Sequence, residues 1–312
     1  MQIHPKVTHI NIWWDTANTE VGAYFIKGQK NTIIDTGPAN YQDSIALALK
    51  PLGLRFDDID IILNTHGHAD HTGGNATIKD ASGALCMIHE SEVSCLENRE
   101  HWFDQQQAPV VEALRGKSYL GEEKSRFLQS YQSTTVDRQL NDKDLIDIGD
   151  GIEIQVIHLP GHTPGSVGYY WETEGILFCG DSMVGRWSEG GSLPLITDLS
   201  AYQRSIDRLL GMPLRLLLCS HPYRGLSLPG YPIRQGEEIK QYLYESLETA
   251  KRISDTIKTV APDMRNESLL DITDKVVAEL PEEWGFKPVA ELHSPVLSAT
   301  TVFWNLRRLG SL

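Results

Sequence analysis

The sequence predicts a mixed α/β core over residues 1–230, with a helical insertion at about 91–135, followed by a helical region over 235–312. Three observations predict it. Short β-rich runs alternate with helix-compatible stretches through the first two-thirds of the chain. Four of those runs end on a histidine or an aspartate. Beyond Gly236 the β pattern gives way to helical periodicity alone.

Residues 8–16 (THINIWWDT) and 21–27 (VGAYFIK) read as strands, and 31–36 (NTIIDT) as a third, ended by Gly37-Pro38. Their close succession suggests antiparallel pairing. Residues 42–54 carry helical spacing through Ile45, Leu49 and Leu52, with Pro51 enforcing an early stop. Residues 59–63 (IDIIL) read as a buried strand that leads into a histidine cluster, and 84–88 (ALCMI) as another strand. The polar stretch 91–135 reads as helices packed on the body, because Trp102, Phe103, Leu114, Tyr119, Phe127, Leu128 and Tyr131 need burial. These side chains could pack the insertion, wall a substrate pocket or form a homodimer interface. The β pattern resumes at 152–158, 167–171, 176–179 and 215–219, with a helix expected at 198–210. Ile239, Leu243, Leu247, Ala250, Ile253 and Ile257 mark one apolar helical stripe, and two shorter helices are expected at 267–280 and about 296–309.

Composition narrows the function classes. A formal net charge of −14 repels phosphate backbones, and the nearest thing to a basic patch is Arg307 and Arg308, so nucleic acid is not an expected partner. No run of 18 apolar residues predicts a membrane span, and Met1 to Thr8 holds no signal-type apolar run, which makes a cytoplasmic location the expectation. Cys86, Cys95, Cys179 and Cys219 form no CxxC pair and are expected to be reduced and mostly buried.

The densest chemical signal is Thr65 to Gly74 (THGHADHTGG), where His66, His68, Asp70 and His71 fall within six residues after an apolar run. Imidazole and carboxylate are ligands suited to zinc and similar ions. His66 and His68, two apart, can face one side of an extended turn, while Asp70 and His71 follow a further turn and can serve an adjacent position. Three histidines in six positions is far denser than random placement of 11 in 312 gives. Leu159 to Ser166 (LPGHTPGS) exposes His162 at a turn, with His158 as a competing candidate read as a strand residue outside the site. Asp181 follows the apolar run 176–179, where a carboxylate is costly unless paired or metal-bound, and His221 follows 215–219. Strand ends that repeatedly deliver His or Asp fit one site at the rim of a sheet sandwich.

Together these residues resemble the metallo-β-lactamase superfamily over roughly 8–225, most closely its glyoxalase II, thioesterase and lactonase branches. The resemblance implies an α+β fold, a four-layer αββα sandwich. It implies two divalent ions, zinc first, with iron or manganese as alternatives. His66, His68 and His162 would hold one ion, Asp70, His71 and His221 the other, and Asp181 would bridge them. Asp35, in Ile34 to Gly37, would support a ligand from behind. Asp70 would also be catalytic, orienting a water shared by the ions, whose hydroxide attacks an ester, thioester or lactone. The expected partner is a small acyl substrate.

Two rivals share the fold: a ribonuclease or phosphodiesterase, suggested by the likeness of residues 294–310 to the last helix of a winged-helix module, and a mononuclear-iron sulfur dioxygenase. A non-enzymatic binding role is a third, and its usual signature, a missing ligand, is absent. Trp102, Phe103, Tyr223, Trp284, Phe286 and Trp304 are candidates for pocket walls or for core. Tyr223, two residues past His221, is the foremost. Arg224 could bind a substrate carboxylate or pair at the surface. The C-terminal helices could cap the site.

Overall fold

The computed structural model describes residues 1–187, 191–260, 267–292 and 295–311. One sheet runs in order from β1 (Gln2–His4) through β2 (Val7–Trp14), β3 (Thr19–Ile26), β4 (Thr32–Ile34), β5 (Ile61–Leu63) and β6 (Leu85–His89) to β7 (Arg138–Leu140). The first four strands pair antiparallel, as expected for β2 to β4, and β4 to β7 continue in parallel. The second sheet contains β8 (Leu145–Asp147), β9 (Glu153–His158), β10 (Val167–Trp171), β11 (Ile176–Gly180), β12 (Leu216–Cys219) and β13 (Ile233–Gln235). Only β11 and β12 pair in parallel there.

Period-two alternation sorts the layers. On β3, Tyr24 and Ile26 face the second sheet and join Val156, Tyr169, Phe178 and Leu218 in the inter-sheet core. Ala23 and Phe25, on the opposite face, pack with Ile45 and Leu49 of α1 (Asp43–Leu49) and with Ile78, which lies beyond the short α2 (Ala69–Thr72) in α3 (Asn75–Ser82). Buried tyrosine hydroxyls tie the sheets together: Tyr24 donates to the Cys219 carbonyl at 2.6 Å and Tyr169 to the Asn64 carbonyl at 2.7 Å.

Helices cover the outer faces, which completes the four-layer αββα sandwich expected from the resemblance. The insertion forms α4 (Val93–Glu97), α5 (Arg99–Trp102), α6 (Ala108–Arg115) and α7 (Leu120–Gln129). The second sheet's outer face carries α8 (Leu199–Leu210), α9 (Glu237–Val260), α10 (Leu269–Ala278) and α11 (Pro295–Arg308), which share one apolar cluster with Leu177, Leu217 and Cys219. Among the described residues, no helix is long and apolar enough to cross a membrane.

Several elements depart from expectation. β1, β7, β8 and β13 are three-residue strands whose sequences carry no alternation. β13 pairs with β12, so the second sheet reaches Gln235. Tyr119 and Leu128 are exposed, at 47% and 37%, because their short helices turn these positions to solvent. The four cysteines are free and buried as expected, and the Sγ atoms of Cys179 and Cys219 lie 3.5 Å apart on neighbouring strands.

The five strands that lead to the rim side chains, β4, β5, β9, β11 and β12, end together at one rim. β4 and β5 run in parallel, as do β11 and β12, and β9 is antiparallel to β10, which is antiparallel to β11. Ligand sites in such sheets form where co-directional strands end. The register slips between Phe178 and Gly180, and Gly180 adopts φ +52°, with the place of a Cβ only 2.3 Å from Thr65 Oγ1. Gly180→Ala is therefore expected to cost at least ~1–2 kcal/mol from the left-handed backbone alone, plus displacement of Thr65. Urea unfolding checks this, and an unchanged midpoint would contradict the role given to Gly180.

Candidate metal centre

Each rim strand delivers its side chain through a short turn. Past β5 the chain carries His66 and His68, and extended backbone at His68 starts α2, whose four residues include Asp70 and His71. Successive helical residues point about 100° apart, so one turn supplies donors in two directions. β9 leads to His162, β11 to Asp181, β12 to His221 and β4 to Asp35.

The seven sequence-predicted donors converge. Three groups have ligand atoms within 4.8 Å of one another: His66, His68 and His162; His66, His71 and Asp181; and Asp70, His71 and His221. His162 Nε2 lies 3.2 Å from His66 Nε2 and 3.0 Å from His68 Nδ1. His221 Nε2 lies 3.2 Å from Asp70 Oδ2, and His71 Nε2 lies 3.6 Å from it. Asp181 Oδ2 sits between the groups, 3.5 Å from both His71 and His221 and 3.9 Å from His162.

A ring of acceptors behind the site fixes how these rings face. His71 Nδ1 donates to Asp35 Oδ2 at 2.9 Å, His162 Nδ1 to the Leu195 carbonyl at 2.7 Å and His221 Nδ1 to the Glu20 carbonyl at 2.7 Å. Thr65 Oγ1 donates to Asp35 Oδ2 at 2.7 Å, leaving its lone pair for His66 Nδ1 at 3.1 Å. With each Nδ1 occupied from outside, the Nε2 of His66, His71, His162 and His221 presents a lone pair inward. Asp35 holds its place by also accepting from the Thr65 N–H at 2.8 Å, and its φ of +57° marks a constrained backbone.

The fit to cations follows from this arrangement. Two lone pairs 3.2 Å apart repel unless a positive charge lies between them. Two nitrogens at ~2.0–2.1 Å from one tetrahedral ion stand roughly 3.3 Å apart, which matches the His162–His66 and His162–His68 distances. Asp181 Oδ1 and His71 Nε2 are buried without a hydrogen-bond partner, as unfilled ligand positions would be.

Charge divides the site. Burial, reinforced by neighbouring imidazoles, pushes His66 well below the usual histidine value and His68 down to about 3, and burial lowers His162. Burial opposes charge on His71 and His221 too, but Asp70 and Asp181 outweigh it and raise both, with Asp35 adding to the effect on His71. Burial would raise Asp70 and Asp181, yet facing His71 and His221 holds both below the usual carboxylate range. One half is thus a neutral imidazole trio and the other a compensated ionic cluster.

A cleft of about 440 Å³ opens over His68 and Asp70. The insertion supplies one wall through Trp102, Val110, Leu114 and Phe127, and α11 the facing wall through Leu297 and Trp304. Of the proposed wall residues, Trp102 and Trp304 line it. Phe103 packs beneath, 5.6 Å from the Phe127 ring, and Trp284 pairs with Phe286 in the C-terminal cluster. Tyr223 is not a cleft residue: it is 1% exposed and donates to Asp181 Oδ2 at 2.8 Å. Arg224 also lies off the cleft, its backbone paired with Arg186 at 2.9 Å in both directions. His158 stands outside the cluster as expected, donating to the Pro164 carbonyl at 2.9 Å and stacked on His89.

Sequence reading missed Glu92. Buried at the start of the insertion, it accepts from the Gly67 N–H at 3.2 Å and the Gly165 N–H at 2.8 Å, so it braces the His66–His68 turn against the His162 turn. It missed Thr65 and the Glu20 and Leu195 carbonyls as well, and backbone carbonyls carry no residue-type signal.

Asp35→Asn keeps the shape but turns an amide towards one of its buried donors. It is expected to weaken divalent-metal binding by about 10–100-fold, measured by competition with a chromophoric chelator. Wild-type affinity would contradict the bracing role.

The family model described as the metallo-beta-lactamase superfamily matches residues 20–221. A probable metallo-hydrolase of Methanocaldococcus jannaschii is 27% identical over 60% of this chain and 84% of its own length. The hydroxyacylglutathione hydrolase of Erythrobacter litoralis is 29% identical over 52% of this chain and 48% of its own, so the chain spans about half the length of that curated relative. Among solved structures, a metallo-beta-lactamase family protein of Thermus thermophilus superposes with TM-score 0.69 at 18% identity, covering 99% of this chain and 95% of that one. A subclass B3 metallo-beta-lactamase of Bradyrhizobium japonicum superposes with TM-score 0.57 at 22% identity, covering 82% and 93%. With a family match that covers most of both sheets and every rim donor from His66 to His221, the chain belongs to the metallo-beta-lactamase superfamily.

Proposed function

We propose that this chain is a dinuclear metal-dependent hydrolase that cleaves an ester, thioester or lactone bond in a small acyl substrate. The observation that carries the reading is the pair of donor groups sharing Asp181 beneath an apolar-walled cleft to which His68 and Asp70 are open. His66, His68 and His162 would hold one ion and Asp70, His71 and His221 the other, with Asp181 shared between the two donor groups. Asp35 and Tyr223 fix His71 and Asp181 from behind. Mixed imidazole and carboxylate donors favour zinc. When bound, the ions supply an acidified water and an electrophile for the substrate oxygen.

The side chains do the remaining work. Asp70 has 17% of its side chain exposed, at the cleft floor. With Oδ2 turned to His221, its other oxygen is left to hold the proton of the attacking water and pass it to the leaving group. Trp102, Phe127 and Trp304 exclude water and hold the acyl portion. The relatives named as hydroxyacylglutathione hydrolases act on an acyl thioester, which favours a thioester among the three bonds. The net charge of −14 works against a polyanionic substrate such as RNA.

Purified protein is expected to carry about two equivalents of divalent metal and to hydrolyse members of a thioester, ester and lactone panel. Metal analysis and the panel check this, and a metal-poor protein, or one active only on RNA or a phosphodiester, would refute it. Asp70→Ala should lower kcat/KM by about 10²-fold or more without loss of cooperative unfolding, and near-wild-type turnover would reject its role. Trp304→Ala should raise KM for long-chain acyl substrates by roughly tenfold, the equivalent of a partly lost large apolar contact, and leave short-chain substrates unaffected. Equal effects on both would remove Trp304 from the acyl wall.

A further inference from the structure

Residues 193–198 lie between β11 and α8 without regular structure or a sheet neighbour. Their backbone polar groups need partners from elsewhere, and α11 provides several of them. Ser298, Thr301 and Asn305 fall three and four residues apart, on one buried face of that helix. Ser298 Oγ accepts from the Leu193 N–H at 2.9 Å. Thr301 Oγ1 accepts from the Ile196 N–H at 3.0 Å and donates to the Pro194 carbonyl at 2.7 Å. Asn305 Oδ1 accepts from the Leu199 N–H, at the start of α8, at 2.9 Å, and its Nδ2 donates to the Ile196 carbonyl at 2.9 Å.

The carbonyls of Pro194 and Ile196 therefore face the helix. The one between them, on Leu195, accepts from His162 Nδ1 at 2.7 Å. Thr197 Oγ1, on the same segment, donates to the His162 carbonyl at 3.1 Å. A helix at the far end of the chain thus sets the acceptor that orients the His162 ring.

Building on the assignment of His162 as a metal ligand, we propose that α11 is a positioning element of the His66, His68 and His162 site, acting through Ser298, Thr301 and Asn305. These residues touch neither ion nor substrate. They fix the Leu195 carbonyl, which fixes the tautomer and tilt of His162, and outer partners of this kind govern metal affinity. The same helix presents Leu297 and Trp304 to the cleft, so one element sets both a ligand and the acyl wall.

The test is metal binding by the full chain, read by cobalt(II) titration with visible absorption and by chelator competition, alongside thermal unfolding of the metal-free protein. Thr301→Val keeps the shape and removes two hydrogen bonds. It should weaken one of the two metal equivalents by about 10–100-fold, alter the cobalt spectrum and spare the other equivalent. Thr301→Ser should restore wild-type binding. Ser298→Ala, a milder change, should shift binding in the same direction and serves if Thr301→Val does not fold. Unchanged affinity and spectrum in variants that unfold at lower temperature would make α11 merely structural and overturn the proposal. His162→Ala separates the two levels. Loss of one equivalent there, with unchanged binding in the α11 variants, overturns this inference alone. Retention of both equivalents overturns the ligand assignment and this inference with it.

Discussion

The structure depends on a crowding constraint. Five imidazoles and two carboxylates converge in one buried pocket, and every Nδ1–H of His66, His71, His162 and His221 is spent on an acceptor outside it. The inward-facing lone pairs of His66 and His162, 3.2 Å apart, have no proton to share between them. Such a cluster is costly as an arrangement of bare side chains and favourable around cations, which is why the same geometry supports the proposed dinuclear site.

The fold meets the constraint by aiming strands. Two sheets with Tyr24 and Tyr169 bridging them give a stiff base, and the ends of β4, β5, β9, β11 and β12 bring donors from both sheets to one rim. Close packing then sets the spacing. Gly180 lies against Thr65, and Gly67 and Gly165 lie against Glu92, so the loops from the two sheets lock together where side chains are absent. The insertion and α11 stand on either side of this rim. They contribute the walls of the cleft, and Glu92 and the Leu195 segment tie each wall to the histidines.

Much of this was legible in the sequence because the chemistry is local there. THGHADHTGG compresses four donors into six residues, Asp181 and His221 each follow an apolar run, and His162 follows an alternating one, as expected where buried strands end. What stayed hidden depends on the third dimension. Three-residue strands such as β7 and β13 are defined by their partners rather than by an alternating pattern. Tyr223 reads as a cleft aromatic from its position beside His221, yet its strand-end geometry turns the hydroxyl behind Asp181. Glu92 looks like one more polar residue of a Glu-rich stretch, and only burial between two glycine N–H groups gives it a role. The carbonyls of Glu20 and Leu195 leave no trace in residue type at all.

The central claim is that the rim donors hold a pair of ions astride Asp181. Anomalous-difference crystallography of the zinc-loaded protein at the zinc edge tests it most directly. The predicted result is two peaks ~3.5–4 Å apart, one among His66, His68 and His162 and one among Asp70, His71 and His221. A single peak, or peaks away from these side chains, would contradict it.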